Sequence, residues 1–182
     1  MDSEKQIQEN KKGSIKRGWG FSTIEIISMI IFTLCFIGQF FVLFFYESQL
    51  DIIFLEYIAY TVFALAAFLG IMPIIIFKRK GAVGKGESYV NTRELITTGL
   101  YAIIRHPQYL SFILISLGIT LFNQSWISLI LTILIIVLTY QWTYSEDKSS
   151  FEKFGKKYEQ YKEKVPRLNL IYGIIKYLIR KS

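Results

Sequence analysis

The sequence predicts an all-α fold: a multi-pass membrane helical bundle of about four spans, with interfacial helices on its cytoplasmic side. Three observations predict it. Of the 182 residues, 52% are hydrophobic, and they are gathered into long blocks. Two of these blocks, 21–46 and 52–77, exceed the ~20 residues a helix needs to cross ~30 Å of hydrocarbon. The basic residues collect in only three of the segments that flank the blocks.

Each element follows in order. Residues 1–20, rich in Lys and Ser and poor in apolar groups, read as a mobile cytoplasmic tail, and 21–182 as a single membrane domain. The first block is longer than the apolar core of a signal peptide, and no small-residue cleavage site follows it, so it reads as a span. Blocks 107–122 and 126–144 are shorter and separated only by Asn123, Gln124 and Ser125, which predicts a helical hairpin. Glu25 and Glu56 fall near span ends and read as carboxylates at headgroup level. Cys35, the single cysteine, excludes an intramolecular disulfide and a cysteine metal cluster, and reads as a small packing residue.

Charge gives the orientation. Loops 47–51 and 122–125 contain no Lys or Arg, and placing both termini in the cytoplasm satisfies all 21 basic residues. The net charge of +7 is therefore one-sided. It points to anionic lipid headgroups as partners and away from nucleic acid, because no basic stripe belongs to a soluble domain.

Polar groups collect in the cytoplasmic segments. "KRKGAVGKGES" (78–88) has glycines without the spacing of a phosphate loop, and reads as a flexible interfacial loop. "NTRELITTGLYAIIR" (91–105) reads as a helix capped by Asn91 or Thr92, with Glu94 in its first turn. Pro107 lacks an N–H and clashes with the carbonyl of Ile103, so this helix should end near Arg105 and a new one should start at Pro107. Arg105, His106 and free N–H groups would then meet at the membrane boundary, an arrangement that favours an anionic or strongly polar ligand. The bland alternative is an arginine that snorkels to headgroups beside a proline kink.

The hairpin adds a second half to this site. Arg105 precedes the 123–125 turn by about as many residues as Glu146 follows it, so both return to one depth. Glu146 and Asp147 also follow the interfacial aromatics Tyr140, Trp142 and Tyr144; the alternative is that the two acids merely end the span in water. Downstream, Phe151, Phe154, Tyr158, Tyr161 and Val165 recur at steps of three or four, which predicts an amphipathic helix on the membrane surface, loosened at Gly155 and ended by Pro166. Residues 168–181 read as an interfacial segment too short to span.

Taken together, these stretches resemble the isoprenylcysteine carboxyl methyltransferase and phospholipid methyltransferase superfamily. The resemblance rests on Gly99 and Tyr101, then Arg105, His106, Pro107 and Tyr109, a helical hairpin, the acids Glu146 and Asp147, then Phe154, Gly155, Tyr158 and Tyr161, and Val165, Pro166 and Arg167. It implies an integral membrane methyltransferase that uses S-adenosylmethionine, needs no metal, and acts on a lipid or lipidated substrate. It implies cofactor-binding roles for Leu95, Gly99, Tyr101, His106, Pro107, Tyr109, Glu146 and Asp147, with Glu146 or Asp147 pairing with the methionine ammonium. Arg105 and Glu146 are its candidate catalytic residues. Asp147 stands where the family more often has Glu, and Ser111 where many members have Gly, the latter at a helix contact.

The chemistry is compatible with these residues. Methyl transfer requires in-line alignment and exclusion of water. A carboxylate acceptor needs no base and could be oriented by Arg105; a lipid amine must lose a proton, for which His106 or an acid is a candidate. Two other functions compete: an NADPH-dependent membrane reductase of the steroid 5-alpha-reductase type, and a non-catalytic membrane scaffold. The order of the Arg-His-Pro and Val-Pro-Arg motifs favours the methyltransferase.

Overall fold

A computed structural model describes residues 22–48, 50–80 and 94–181. The tail 1–20, the glycine-containing loop from 81 onward and the capping positions Asn91 and Thr92 lie outside the described residues. Within them the chain forms α1 (Thr23–Phe45), α2 (Ile53–Lys80), a 3-10 turn (Gly99–Ala102), α3 (Pro107–Asn123), α4 (Trp126–Phe154), α5 (Lys156–Lys164) and α6 (Leu170–Lys181). The all-α membrane bundle predicted from the sequence is the fold observed.

Helices α1, α2 and α4 are long and apolar enough to cross a membrane, and α3, at 17 residues, is shorter. Their outer surfaces carry exposed Ile, Leu and Phe, as lipid contact requires. Helix α2 packs most extensively on α3, α3 on α4, and α1 against α4 and α3. At the α2–α3 contact a Cβ on Gly70 would lie 2.9 Å from Ser111 Oγ. That hydroxyl donates to the Ala66 carbonyl at 2.8 Å, so Ser111 joins the two helices.

Local chemistry fixes the ends. Ser22 and Glu25 form a capping box on α1, with the Ser22 N–H on Glu25 Oε2 at 2.9 Å. Glu25 Oε1 also accepts from Ser145 Oγ at 2.9 Å, which ties α1 to α4. At the opposite end the hairpin turn supplies caps. Asn123 Nδ2 donates to Tyr46 O at 3.1 Å, and the Gln124 amide pairs with both the N–H and the carbonyl of Ile52 at 2.8 and 2.9 Å.

The interior is polar where the helices are closest. Gln39, fully buried, donates to Thr132 Oγ1 at 2.8 Å, and Ser116, Thr120 and Ser128 close the network around it. Small hydroxyl residues let membrane helices approach and satisfy one another. On α4 the buried positions Ser128, Thr132, Ile135, Thr139, Thr143 and Asp147 recur every three or four residues. Asp147 thus continues the inward row, whereas Glu146, turned ~100° away, is exposed.

Three expectations are corrected. No α-helix occupies the described residues 94–106. Gly99 at φ +64° breaks helical geometry, and only a single 3-10 turn forms where a helix ending near Arg105 was expected. Helix α4 runs unbroken past the apolar block to Phe154, because its charged end finds partners; Gly155, at φ +57° and ψ −135°, then divides it from α5. Finally, the stripe Tyr158, Tyr161 and Val165 does not face a membrane. These residues are buried together, with Leu95 and Phe154 packed on them.

Candidate functional site

The site is a meeting of three chain segments. The stretch before α3 brings Arg105 and His106, α4 brings Asp147, and α5 with the turn after it brings Tyr158 and Arg167. Main-chain bonds align the first and third segments: Arg105 N–H donates to Pro166 O at 3.0 Å, and His106 N–H donates to Arg167 O at 3.2 Å. Pro107 follows as the first residue of α3, where a missing N–H costs nothing.

Asp147 is the centre. Its Oδ1 accepts from Arg105 Nη1 at 2.8 Å, His106 Nε2 at 2.7 Å and the Tyr158 hydroxyl at 2.5 Å. Its Oδ2 accepts from Arg167 Nε at 3.0 Å and Nη2 at 2.8 Å. A carboxylate only accepts, so His106 carries a proton on Nε2. The Arg105 and Asp147 side chains are 7% and 9% exposed. Arg167 lies over the Tyr144 ring at 3.7 Å, which holds its plane toward Asp147.

A second layer fixes this one. The Tyr161 hydroxyl donates to Tyr101 O at 2.7 Å, and Arg180 Nη2 donates to Ala102 O at 2.8 Å, so α5 and α6 both grip the 3-10 turn. A Cβ on Gly173 would lie 2.1 Å from Ile103 O, so glycine permits α6 to lie against the turn. Lys176 Nζ adds a bond to Glu163 O at 2.7 Å. Burial, followed by the charge and hydrogen bond of Asp147, holds the Tyr158 hydroxyl above its ordinary range; burial does the same for Tyr161.

The candidate residues are therefore placed as follows. Arg105, His106 and Asp147 meet. Tyr109 lies edge-on to the His106 ring at 5.6 Å, Pro107 is buried beneath them, and Tyr101 stacks on Phe77 at 5.2 Å. Leu95 packs on Tyr158 and Tyr161, and Gly99 opens the turn. Glu146 is exposed, outside the network. Arg167, Tyr158 and Tyr161 were not among the candidates read from the sequence, although the spacing of the two tyrosines and the Val-Pro-Arg motif marked their positions.

The electrostatics suit an anion. Two guanidiniums share a single carboxylate, and Arg105 Nε is buried without a hydrogen-bond partner. A positive, partly dehydrated fork short of acceptors is matched by a carboxylate-bearing ligand.

Comparison with known proteins places these residues in context. Residues 55–157, more than half of the chain, match the family model described as phospholipid methyltransferase. Over 78 residues, 40% of this chain, the sequence is 33% identical to the protein-S-isoprenylcysteine O-methyltransferase of Schizosaccharomyces pombe. That stretch covers 31% of the relative, so the match spans about a third of the yeast protein's length. No solved structure matches the chain.

Proposed function

Because the chain belongs to the phospholipid methyltransferase family, we propose that it is an integral membrane methyltransferase that takes its methyl group from S-adenosylmethionine. Its acceptor in this reading is a lipid or a lipidated, isoprenylcysteine-like molecule, met at the cytoplasmic face, where both termini lie. The observation that carries the reading is the Asp147 cluster, in which two arginines are fixed on one acid and Arg105 Nε–H remains without an acceptor.

S-adenosylmethionine, when bound, supplies a sulfonium methyl carbon open to in-line attack. Its carboxylate and ammonium fit the residues at hand. Arg105 and Arg167 suit a carboxylate, from donor or acceptor. Asp147 already accepts from four side chains, so its part is to position the arginines. The exposed Glu146 is the acid left for an ammonium. Leu95, Gly99, Tyr101, His106, Pro107 and Tyr109 would form the wall around the rest of the donor and keep water out.

A carboxylate acceptor makes no demand for a base. A second reading is an amine acceptor: His106 is held on Asp147 through Nε2, so its other ring nitrogen, Nδ1, is the atom that would take the proton. Product mass after incubation with a farnesylcysteine carboxylate analogue or phosphatidylethanolamine separates the two.

S-adenosylhomocysteine tests the cofactor. It should raise the melting temperature of the detergent-solubilised protein, since a ligand at 100 times its Kd stabilises the folded state by about 2.7 kcal/mol. NADPH should not. The absence of a shift at millimolar S-adenosylhomocysteine in several detergents would sink the cofactor assignment.

A further inference from the structure

A pocket of about 440 Å³ opens between α5, α6 and the 3-10 turn. Its rim carries Lys157, Lys164, Arg180 and Lys181, and no acidic residue lines it. Tyr161 and Tyr177 contribute to its wall. None of Arg105, His106, Asp147 or Arg167 takes part, so it is distinct from the cluster around Asp147.

Its setting joins two chemistries. Lys157, Lys164 and Lys181 enter none of the ion pairs among the described residues, and four like charges around one opening repel unless an anion sits between them. Helix α6 lays Gly173, Lys176 and Arg180 against the protein and turns the opposite face outward. On that face Ile171 and Ile179 are 74% and 71% exposed, and Ile175 and Leu178 lie between them. A helix so divided rests in the headgroup region with its apolar side among acyl chains. The basic opening therefore lies at the depth of lipid phosphates.

We propose that this pocket binds the phosphate group of an anionic membrane phospholipid, with the acyl chains along the outer face of α6. Free phosphate shares the headgroup chemistry but would gain nothing from the apolar face. The site abuts the turn that precedes Arg105, because Ala102 lines the pocket and accepts from Arg180.

The test uses the full chain in mixed micelles of dioleoylphosphatidylglycerol and dioleoylphosphatidylcholine, with retained lipid measured by mass spectrometry. The wild type should enrich phosphatidylglycerol. Lys157→Gln/Lys164→Gln should lose about thirtyfold of that preference, two charges at about 1 kcal/mol each. Lys156→Gln/Lys162→Gln, the same charge change on α5 outside the pocket, should retain most of it. As a measurement that needs no variant, phosphatidylglycerol should shield Lys157 and Lys164 from acetylation and leave Lys156 and Lys162 reactive. Equal losses in the two double variants, or equal reactivity of the four lysines, would overturn the proposal. Complete displacement of the lipid by millimolar inorganic phosphate would assign the site to free phosphate, and displacement by S-adenosylhomocysteine to the methyl donor; either result also overturns it.

Discussion

Asp147→Asn is the most informative substitution. It preserves volume and removes the charge that four side chains address, leaving the Arg105 and Arg167 guanidiniums, 7% and 20% exposed, facing a neutral amide. Removing one partner of a buried ion pair costs about 3–5 kcal/mol. Arg167 is partly solvated and keeps its stacking on Tyr144, which favours the lower end, about 3 kcal/mol. In a chain of this size each kcal/mol moves Tm by about 2–4 °C, so the variant should melt roughly 6–12 °C lower. Glu146→Gln, one residue away but exposed, should move Tm by no more than about 2 °C, as surface substitutions do. Thermal melts of both variants in one detergent make the comparison. If they melt together, Asp147 is not the anchor of the arginines, and the site as described is wrong.

Other outcomes follow from the same geometry. Arg105→Lys keeps the charge and loses the planar fork, so it should insert normally yet lose at least about tenfold in methyl transfer at subsaturating substrates, while Arg79→Lys changes little; equal activities would return Arg105 to a snorkelling role. Tyr158 holds its proton more tightly folded than unfolded, so its contribution is complete below the ordinary tyrosine value of about 10 and is lost as pH rises beyond it. Melting temperature should accordingly fall above pH ~10, and less steeply in Tyr158→Phe; identical alkaline slopes would contradict this. Cysteines placed at Glu47 and Ser149 should react with an impermeant label from opposite sides of a sealed vesicle, and labelling from one side would refute the proposed orientation.

Much of this architecture was legible in the sequence, and the failures have physical causes. Hydropathy located the long helices, and Pro107 marked the start of α3. Counting along the hairpin put Glu146 at the depth of Arg105, but a step of one residue changes depth by only ~1.5 Å and direction by ~100°. Direction decided which acid turned inward. The row Ser128, Thr132, Thr139, Thr143 carried that information, since small hydroxyl residues at helical spacing mark a packed face. The helix expected before Arg105 is broken at Gly99, and the N–H groups of Arg105 and His106 bond instead to carbonyls some 60 residues later, which no local pattern reveals. The stripe of Tyr158, Tyr161 and Val165 had the right period. Its destination was fixed by hydroxyl partners, Asp147 and the Tyr101 carbonyl, which lie on other segments.

The pairing of Arg105 and His106 with Pro166 and Arg167 bears on the order in which the chain is made. Asp147 leaves the ribosome after its first two partners and before Tyr158 and Arg167, the latter twenty residues later. A nascent chain that has just delivered α4 to the bilayer therefore carries an acid with only half its donors, beside two main-chain N–H groups that still lack the carbonyls of Pro166 and Arg167. The same gap faces a chain terminated between residues 155 and 165, whose spans are all present but whose cluster stays open at one side. The residues that complete the site thus follow every span in the sequence, and the cluster cannot close until α5 and Arg167 have been synthesised.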